Sequence, residues 1–269
     1  MAGKRTTHVD LIGQKLSSHH FGWQRDLPDH RDHQYLAQPT TLYELPPKVD
    51  LRPQCLPVFD QGKLGSCTAN ALAGAFSCAL KDQRLPVFMP SRLFIYYNER
   101  SLEGTVASDS GAQLRDGIKT LNQWGVCPET LWPYQIGRFT AKPTAAAFAA
   151  AAKRQLLGYA RVLQTLTQLR GCLAEGRPFV LGFTVYENFE SQAVAATGVA
   201  GLPGPGERAL GGHAVLCVGY DDATSRFLLR NSWGPKWGQK GYFTLPYAYL
   251  LDTNLSADFW TMEIVEGSV

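Results

Sequence analysis

Residues 61–76 read QGKLGSCTANALAGAF, and the placement of one thiol in this stretch decides how the rest of the chain is read. From Cys67 onward the residues are small or apolar, with Ala69, Ala71, Leu72, Phe76 and Leu80 spaced for a helix over 67–80. Cys67 then stands at a helix N-terminus, where partial positive charge favours a thiolate. The compact Gly65-Ser66 step leaves room for a substrate backbone beside the sulfur. Taken alone, a buried and inert thiol is the better explanation of such a cysteine.

The whole chain narrows the choice. Its 269 residues, 45% hydrophobic and 18% charged, suffice for one large core or two lobes around a cleft. A formal charge of +3, with no block of five or six like charges, gives no footprint for nucleic acid or an anionic membrane. The basic N-terminus lacks the apolar core of a signal peptide, and no stretch approaches eighteen apolar residues, so a cytoplasmic protein without a membrane span is expected. The six cysteines form no C-x-x-C pair, which argues against a zinc module or a disulfide scaffold. Cys78, Cys172 and Cys217 fall in apolar segments and read as buried reduced thiols. Cys55 and Cys127 lie in Pro-containing loops and are the pair the sequence offers for a cross-link.

Residues 1–48 form a separate N-terminal extension. It is rich in His, Asp, Pro and Gln and has no helical or strand period, so an extended segment held by Phe21, Trp23 and Tyr35 is expected. Its histidines at 19, 20, 30 and 33 read as solvated loop residues rather than a metal site. Helical patterns follow: Ser91 as the N-cap of a second helix, GAQLRDGIKTLNQWG with Gly125 as C-cap, an alanine-rich surface element at 141–155, and TLTQLRGCLAEG opening on a Thr165–Gln168 capping box. Then the period changes to short β-rich runs, PFVLGFTV, HAVLCVGY, RFLLRN and GYFTL. Helices first and strands second predict an α+β fold of two lobes, helical over roughly 60–140 and β over roughly 155–269.

Peptide hydrolysis by a thiol needs a base that also protonates the leaving amine, and donors for the oxyanion. Five of the six histidines lie in the first 33 residues, which leaves His213, at the start of HAVLCVGY, as the base. Asn231 ends the following strand and is placed to hold one imidazole nitrogen. Trp233 and Trp237 would shield that bond, and Gln61 would join the Cys67 N–H as an oxyanion donor. Each residue also has an ordinary structural explanation; the order of all four is what points to chemistry.

VDLRPQCLPVFDQGKLGSC, GGHAVLCVGYDD and RNSWGPKWGQKGYF resemble the three signature blocks of papain-family cysteine peptidases. SDSGAQLRDGIKTLNQWGVCPETLWPY is similar to the family's substrate-binding loop, helix and turn. The likeness spans roughly residues 49–265. It implies a papain-like fold, a helical left lobe and a β-barrel-like right lobe, with Cys67 and His213 facing each other across the cleft as a thiolate–imidazolium pair. It carries over Gln61 as oxyanion donor, Asn231 as orienting amide, Trp233 as its cover and Gly111 as a residue whose backbone pairs with extended substrate. Gly182 and Ala214 would line the pocket for the residue before the scissile bond. No metal or cofactor is implied. The partner is a peptide or protein substrate, and the chain is expected to be a monomer.

Two departures stand out. The family usually has Cys three residues before the nucleophile and Trp directly after it; here these are Leu64 and Thr68. The short extension suits a bacterial, propeptide-poor branch. The expected activity is an endopeptidase working through an acyl-thioester on Cys67. Acyl transfer or amidase chemistry would use the same residues, and a catalytically silent binding module is the reading from another class. Cys67 is expected to alkylate ahead of the other thiols. Part of residues 15–47 is expected to lie over the cleft or its rim, with bracing of the two lobes as the alternative; removing residues 1 to about 40 would separate the two.

Overall fold

The computed structural model describes the backbone of residues 19–265. The chain enters through three short strands, β1 (Trp23–Gln24), β2 (Gln34–Tyr35) and β3 (Lys48–Asp50), with α1 (Pro39–Tyr43) before the third. Three helices follow, α2 (Cys67–Asp82), α3 (Arg92–Glu103) and α4 (Leu114–Trp124), with β4 (Ala112–Gln113) leading into α4. The Ser91 hydroxyl accepts from the Phe94 N–H to cap α3, and Gly125, with φ +73°, ends α4. α5 (Ala145–Ala151) is capped by Thr144 and turns Ala147 and Ala151 inward, so the alanine run is half core rather than pure surface.

The second half holds β5 (Leu156–Val162), α6 (Leu166–Ala174), β6 (Phe179–Tyr186), α7 (Gln192–Thr197), β7 (Ala209–Asp221), β8 (Arg226–Arg230), β9 (Tyr242–Pro246), α8 (Tyr247–Leu251) and β10 (Ser256–Val265). Thr165 caps α6 by accepting from Gln168 N–H, as its capping box predicts. The strand order is β2-β5-β10-β6-β7-β8-β9, with β3 added to β7. All pairings are antiparallel except β2 on β5. The α+β architecture agrees with the change of period along the sequence, although β1–β3 precede the helices and α6, α7 and α8 lie among the later strands. Among the described residues no pairing joins β2 to β9, so the ladder is an open path rather than a closed barrel.

α2 lies between the helices and the sheet, and all its residues from Cys67 to Leu80 are buried. That dual contact explains its composition: only Ala, Gly, Ser and Cys let a helix be approached from every side. Gly117 of α4 is one such point, because a Cβ there would sit 2.3 Å from the Leu72 side chain.

Residues 26–37 are part of this body. Tyr35 and Ala37 are buried, and so is Asp26, which belongs to an ion network. Arg161 reaches Asp26, Asp32 and Asp258 at 3.2, 3.1 and 3.3 Å, and Arg115 pairs with Asp32 at 2.6 Å. Trp260 Nε1 donates to Asp26 at 2.9 Å. Burial, and then the Asp258 carboxylate, pull the Asp26 carboxyl up to about 6. A carboxyl with a raised folded-state pKa contributes stability below its unfolded value, near 4, and loses it as pH rises through the folded value. Comparing wild type with Asp26→Asn in urea, the wild-type advantage should fall by up to roughly 3 kcal/mol between about pH 4 and pH 6.5. An advantage that grows over that interval would mean the arginines hold Asp26 ionised throughout.

Candidate active site

Cys67 opens α2, and its side chain is completely buried. Backbone amides of Ala214, Gly22 and Thr68 lie close enough to the sulfur to favour its ionised form, against the larger effect of burial. Ala214 follows His213 on β7, so the strand that carries the imidazole is also the one that touches the thiol. His213 is not at the strand's start. β7 begins at Ala209, because β6 continues to Tyr186 and pairs there, and this places the imidazole inside the sheet.

His213 Nε2 lies 2.8 Å from Asn231 Oδ1. Its other nitrogen, Nδ1, is buried with no hydrogen-bond partner among the described residues. Asn231 is fixed in turn: its Oδ1 also accepts from Ser232 N–H at 2.8 Å, and its backbone N–H bonds to Gly241 O. The Trp233 indole stacks on the imidazole with centroids 4.8 Å apart, and Trp237 meets Trp233 edge-on at 5.0 Å. Trp233 thus lies on the imidazole itself, and Trp237 packs against Trp233.

Gln61 is fully buried. Its Oε1 accepts from the Ser232 hydroxyl at 2.6 Å, which fixes the amide so that Nε2 faces the cleft. Nε2 donates to the carbonyls of Leu64 at 2.9 Å and His20 at 3.0 Å. Ser232 is thus a positioning residue that sequence reasoning passed over, although it stands directly beside Asn231. The two family departures also have partners. Leu64 is buried with its carbonyl on Gln61, and the Thr68 hydroxyl donates at 2.9 Å to Glu99, whose carboxyl burial holds well above the usual range.

The His20 contact belongs to a segment that runs through the cleft. His19 stacks on Trp233 at 3.8 Å, and its ring lies 3.4 Å from Glu190. Phe21 meets both Trp233 and His213. Gly22 lies so close to Gly65 that a Cβ on it would be 1.7 Å from the Gly65 carbonyl oxygen. β1 pairs in parallel with β4, and the Gly22 carbonyl accepts from Ala112 N–H at 2.8 Å. The backbone donor on this rim is therefore Ala112 rather than Gly111. Gly111, at φ +73°, gives the space: a Cβ there would come within 2.1 Å of the Gly22 oxygen, and its own N–H goes to the Tyr96 hydroxyl. The Trp23 indole covers Gly182 and Gly212, where a Cβ would strike the ring at 1.9 and 2.7 Å, and its Nε1 donates to Asp258 at 3.1 Å. Ala214 pairs with Gly182 across β6 and β7 at the base of the same groove.

Of the predicted site residues, Cys67, His213, Asn231, Gln61, Trp233, Gly182, Ala214 and Gly111 all border one groove, and residues 19–24 fill it. Covering changes the electrostatics. Burial pushes the Cys67 thiol up to about 11 and pulls His213 down to about 4, so covering the groove disfavours the charged form of each. Among the described residues no group of His, Cys, Asp or Glu could hold a metal ion, and His20 instead faces Asp109 at 3.5 Å. No helix is long and apolar enough to cross a membrane.

Comparison with known proteins agrees with this geometry. The profile of the papain family cysteine proteases matches residues 45–252. An uncharacterized peptidase C1-like protein of Acanthamoeba polyphaga mimivirus is 42% identical over 94% of this chain and 89% of its own. A cathepsin B-like protein of Giardia intestinalis is 29% identical over 75% of this chain and 68% of its own. The crystal structure of xylellain, a cysteine protease from Xylella fastidiosa, superposes with a TM-score of 0.87 at 43% identity, covering 93% of this chain and 98% of that one. With the family profile spanning most of the sequence and the thiol, imidazole and amide gathered in one groove, the chain belongs to the papain family of cysteine proteases.

Proposed function

We propose that this peptidase cleaves internal peptide bonds through an acyl-thioester on Cys67 and that residues 19–24 hold it latent. The carrying observation is the His213–Asn231 bond of 2.8 Å, which occupies Nε2 and leaves Nδ1 as the nitrogen free to exchange a proton with Cys67. Cys67 attacks the scissile carbonyl carbon as its proton passes to His213. Gln61 Nε2 and the Cys67 N–H receive the oxyanion, and His213 then protonates the leaving amine. Water, deprotonated by His213, releases the acid and restores the thiol.

The covering segment meets this machinery without being a substrate for it. The backbone amide of Gly22 lies near the sulfur, where substrate would have to enter. The oxyanion donor Gln61 is occupied by a different residue's carbonyl, that of His20. The groove is filled and no peptide bond is presented for attack.

In this reading the extension serves both roles in turn, 19–24 as the cover of the cleft and 26–37, with Tyr35 and Ala37 buried, as the brace. Deleting residues 1 to about 40 would remove both functions together, so the informative deletion ends at residue 24. Protein beginning at residue 25, mixed with a peptide ester and quenched in acid, should carry the acyl group on the peptide containing Cys67. Acylation of another cysteine, or cleavage that persists in Cys67→Ser, overturns the mechanism. Added amine, followed by product mass, reports whether water or amine takes the acyl group.

A further inference from the structure

Cys55 and Cys78 meet although 23 positions separate them in sequence, their sulfurs lying 3.9 Å apart. Cys78 lies on α2, the helix that begins with Cys67, and Cys55 closes the short 3-10 turn Arg52–Gln54. All six cysteines are reduced, and Cys127, the partner the loop positions suggest for Cys55, is buried elsewhere in the core. Each sulfur of the close pair also makes a long bond to a carbonyl, Cys55 to Leu51 at 3.6 Å and Cys78 to Gln54 at 3.8 Å.

The two sulfurs are unequal. Cys55 is partly exposed, whereas Cys78 retains 1% of its surface, so a solute reaches Cys55 first. Arg230 grips the backbone beside Cys55, donating to the Leu56 and Pro57 carbonyls, and its guanidinium also lies 3.5 Å from the Tyr242 hydroxyl. A hydrogen bond from Cys78, and then the Arg230 charge, outweigh burial and draw the Cys55 thiol down, while Cys78 is raised and keeps its proton. Cys67 lies under residues 19–24. In the covered enzyme the accessible and activated sulfur is therefore Cys55.

We propose that Cys55 and Cys78 are a peroxide-sensitive pair whose disulfide clamps the 51–57 segment onto α2. The Cys55 thiolate attacks one oxygen of hydrogen peroxide; the O–O bond breaks, hydroxide leaves, and Cys55 becomes a sulfenic acid. Cys78 then attacks the Cys55 sulfur, the S–O bond breaks, and the oxygen departs as water with the Cys78 proton. Two thiols lose two electrons and two protons in all, and peroxide is reduced to two waters. The sulfurs must close from 3.9 Å to about 2.05 Å, a displacement that a coil segment can supply. The bond would join the helix bearing Cys67 to the strand of chain leading to Gln61, and it involves no residue of the groove.

The test exposes the full chain to hydrogen peroxide and maps its peptides without reduction. Expected are a loss of two hydrogens, one cross-linked peptide joining Cys55 to Cys78, and a rise in melting temperature of about 5 °C that dithiothreitol reverses. Cys78→Ser should trap a dimedone-reactive sulfenic acid on Cys55, and Cys55→Ser should abolish both cross-link and shift. Oxidation of Cys67 ahead of Cys55, or Cys55 driven to sulfinic acid while Cys78 in the same wild-type molecule stays free, overturns the proposal. Because the readouts are mass and melting temperature, the outcome is independent of whether residues 19–24 inhibit.

Discussion

Gly22→Ala raises peptide cleavage by the full chain at least about tenfold, the least change expected when a population equilibrium moves by about 1.4 kcal/mol. The added methyl would sit 1.7 Å from the Gly65 carbonyl oxygen, a backbone atom that cannot rotate away. Gly65 is itself held, its N–H donating to both oxygens of Asp109 at 3.0 and 3.1 Å. The conflict is relieved most easily by lifting residues 19–22, since Trp23 is tied to the buried Asp258 by its indole N–H. Gly22 has no positive φ, so alanine introduces no backbone strain that would confuse the result. Initial rates on a fluorogenic peptide, with the melting temperature as a control for the body of the fold, check it. Unchanged activity in a protein whose melting temperature is also unchanged would remove the gating role from this segment.

His213→Ala, made in the Gly22→Ala background so that the groove is open, lowers kcat/KM by about 10⁴ or more, and Asn231→Ala by about 10 to 100. The difference follows from what each side chain touches. In the proposed mechanism His213 is the group that moves the proton. Asn231 holds the ring by one bond, and stacking on Trp233 keeps part of that orientation after the amide is lost. Losses of equal size would mean that the amide does more than orient. A larger loss at Asn231 would reverse the two roles.

The groove was legible in sequence because its parts are local. A helix start, a strand and a strand end each have a period or a cap that can be read within a dozen residues, and Cys67, His213 and Asn231 sit on those features. The extended β7 was less legible: Gly211 and Gly212 read as loop, yet they are strand residues kept bare because Phe21 and Trp23 lie on them. β5 and β10 were missed for a different reason. LLGYARV mixes an exposed leucine with buried residues and so shows no clean alternation, and β10 carries bulges that break its period. The 26–37 brace rests on pairings between residues more than 80 positions apart, such as Arg115 with Asp32, and no local pattern announces these. The meeting of Cys55 with Cys78 is of the same kind.

The continuity of gate and brace has a kinetic consequence. Residues 19–24 are joined directly to Asp26, which is fixed in the body, so the covering peptide is an intramolecular ligand with almost no tether to explore. A short linkage of this sort gives an effective concentration in the millimolar range or above. Dilution of the enzyme then leaves the open fraction unchanged, and a substrate competes against a local concentration rather than against an affinity alone. A free peptide of the same six residues would have to be supplied at millimolar levels to do what the attached one does in every molecule.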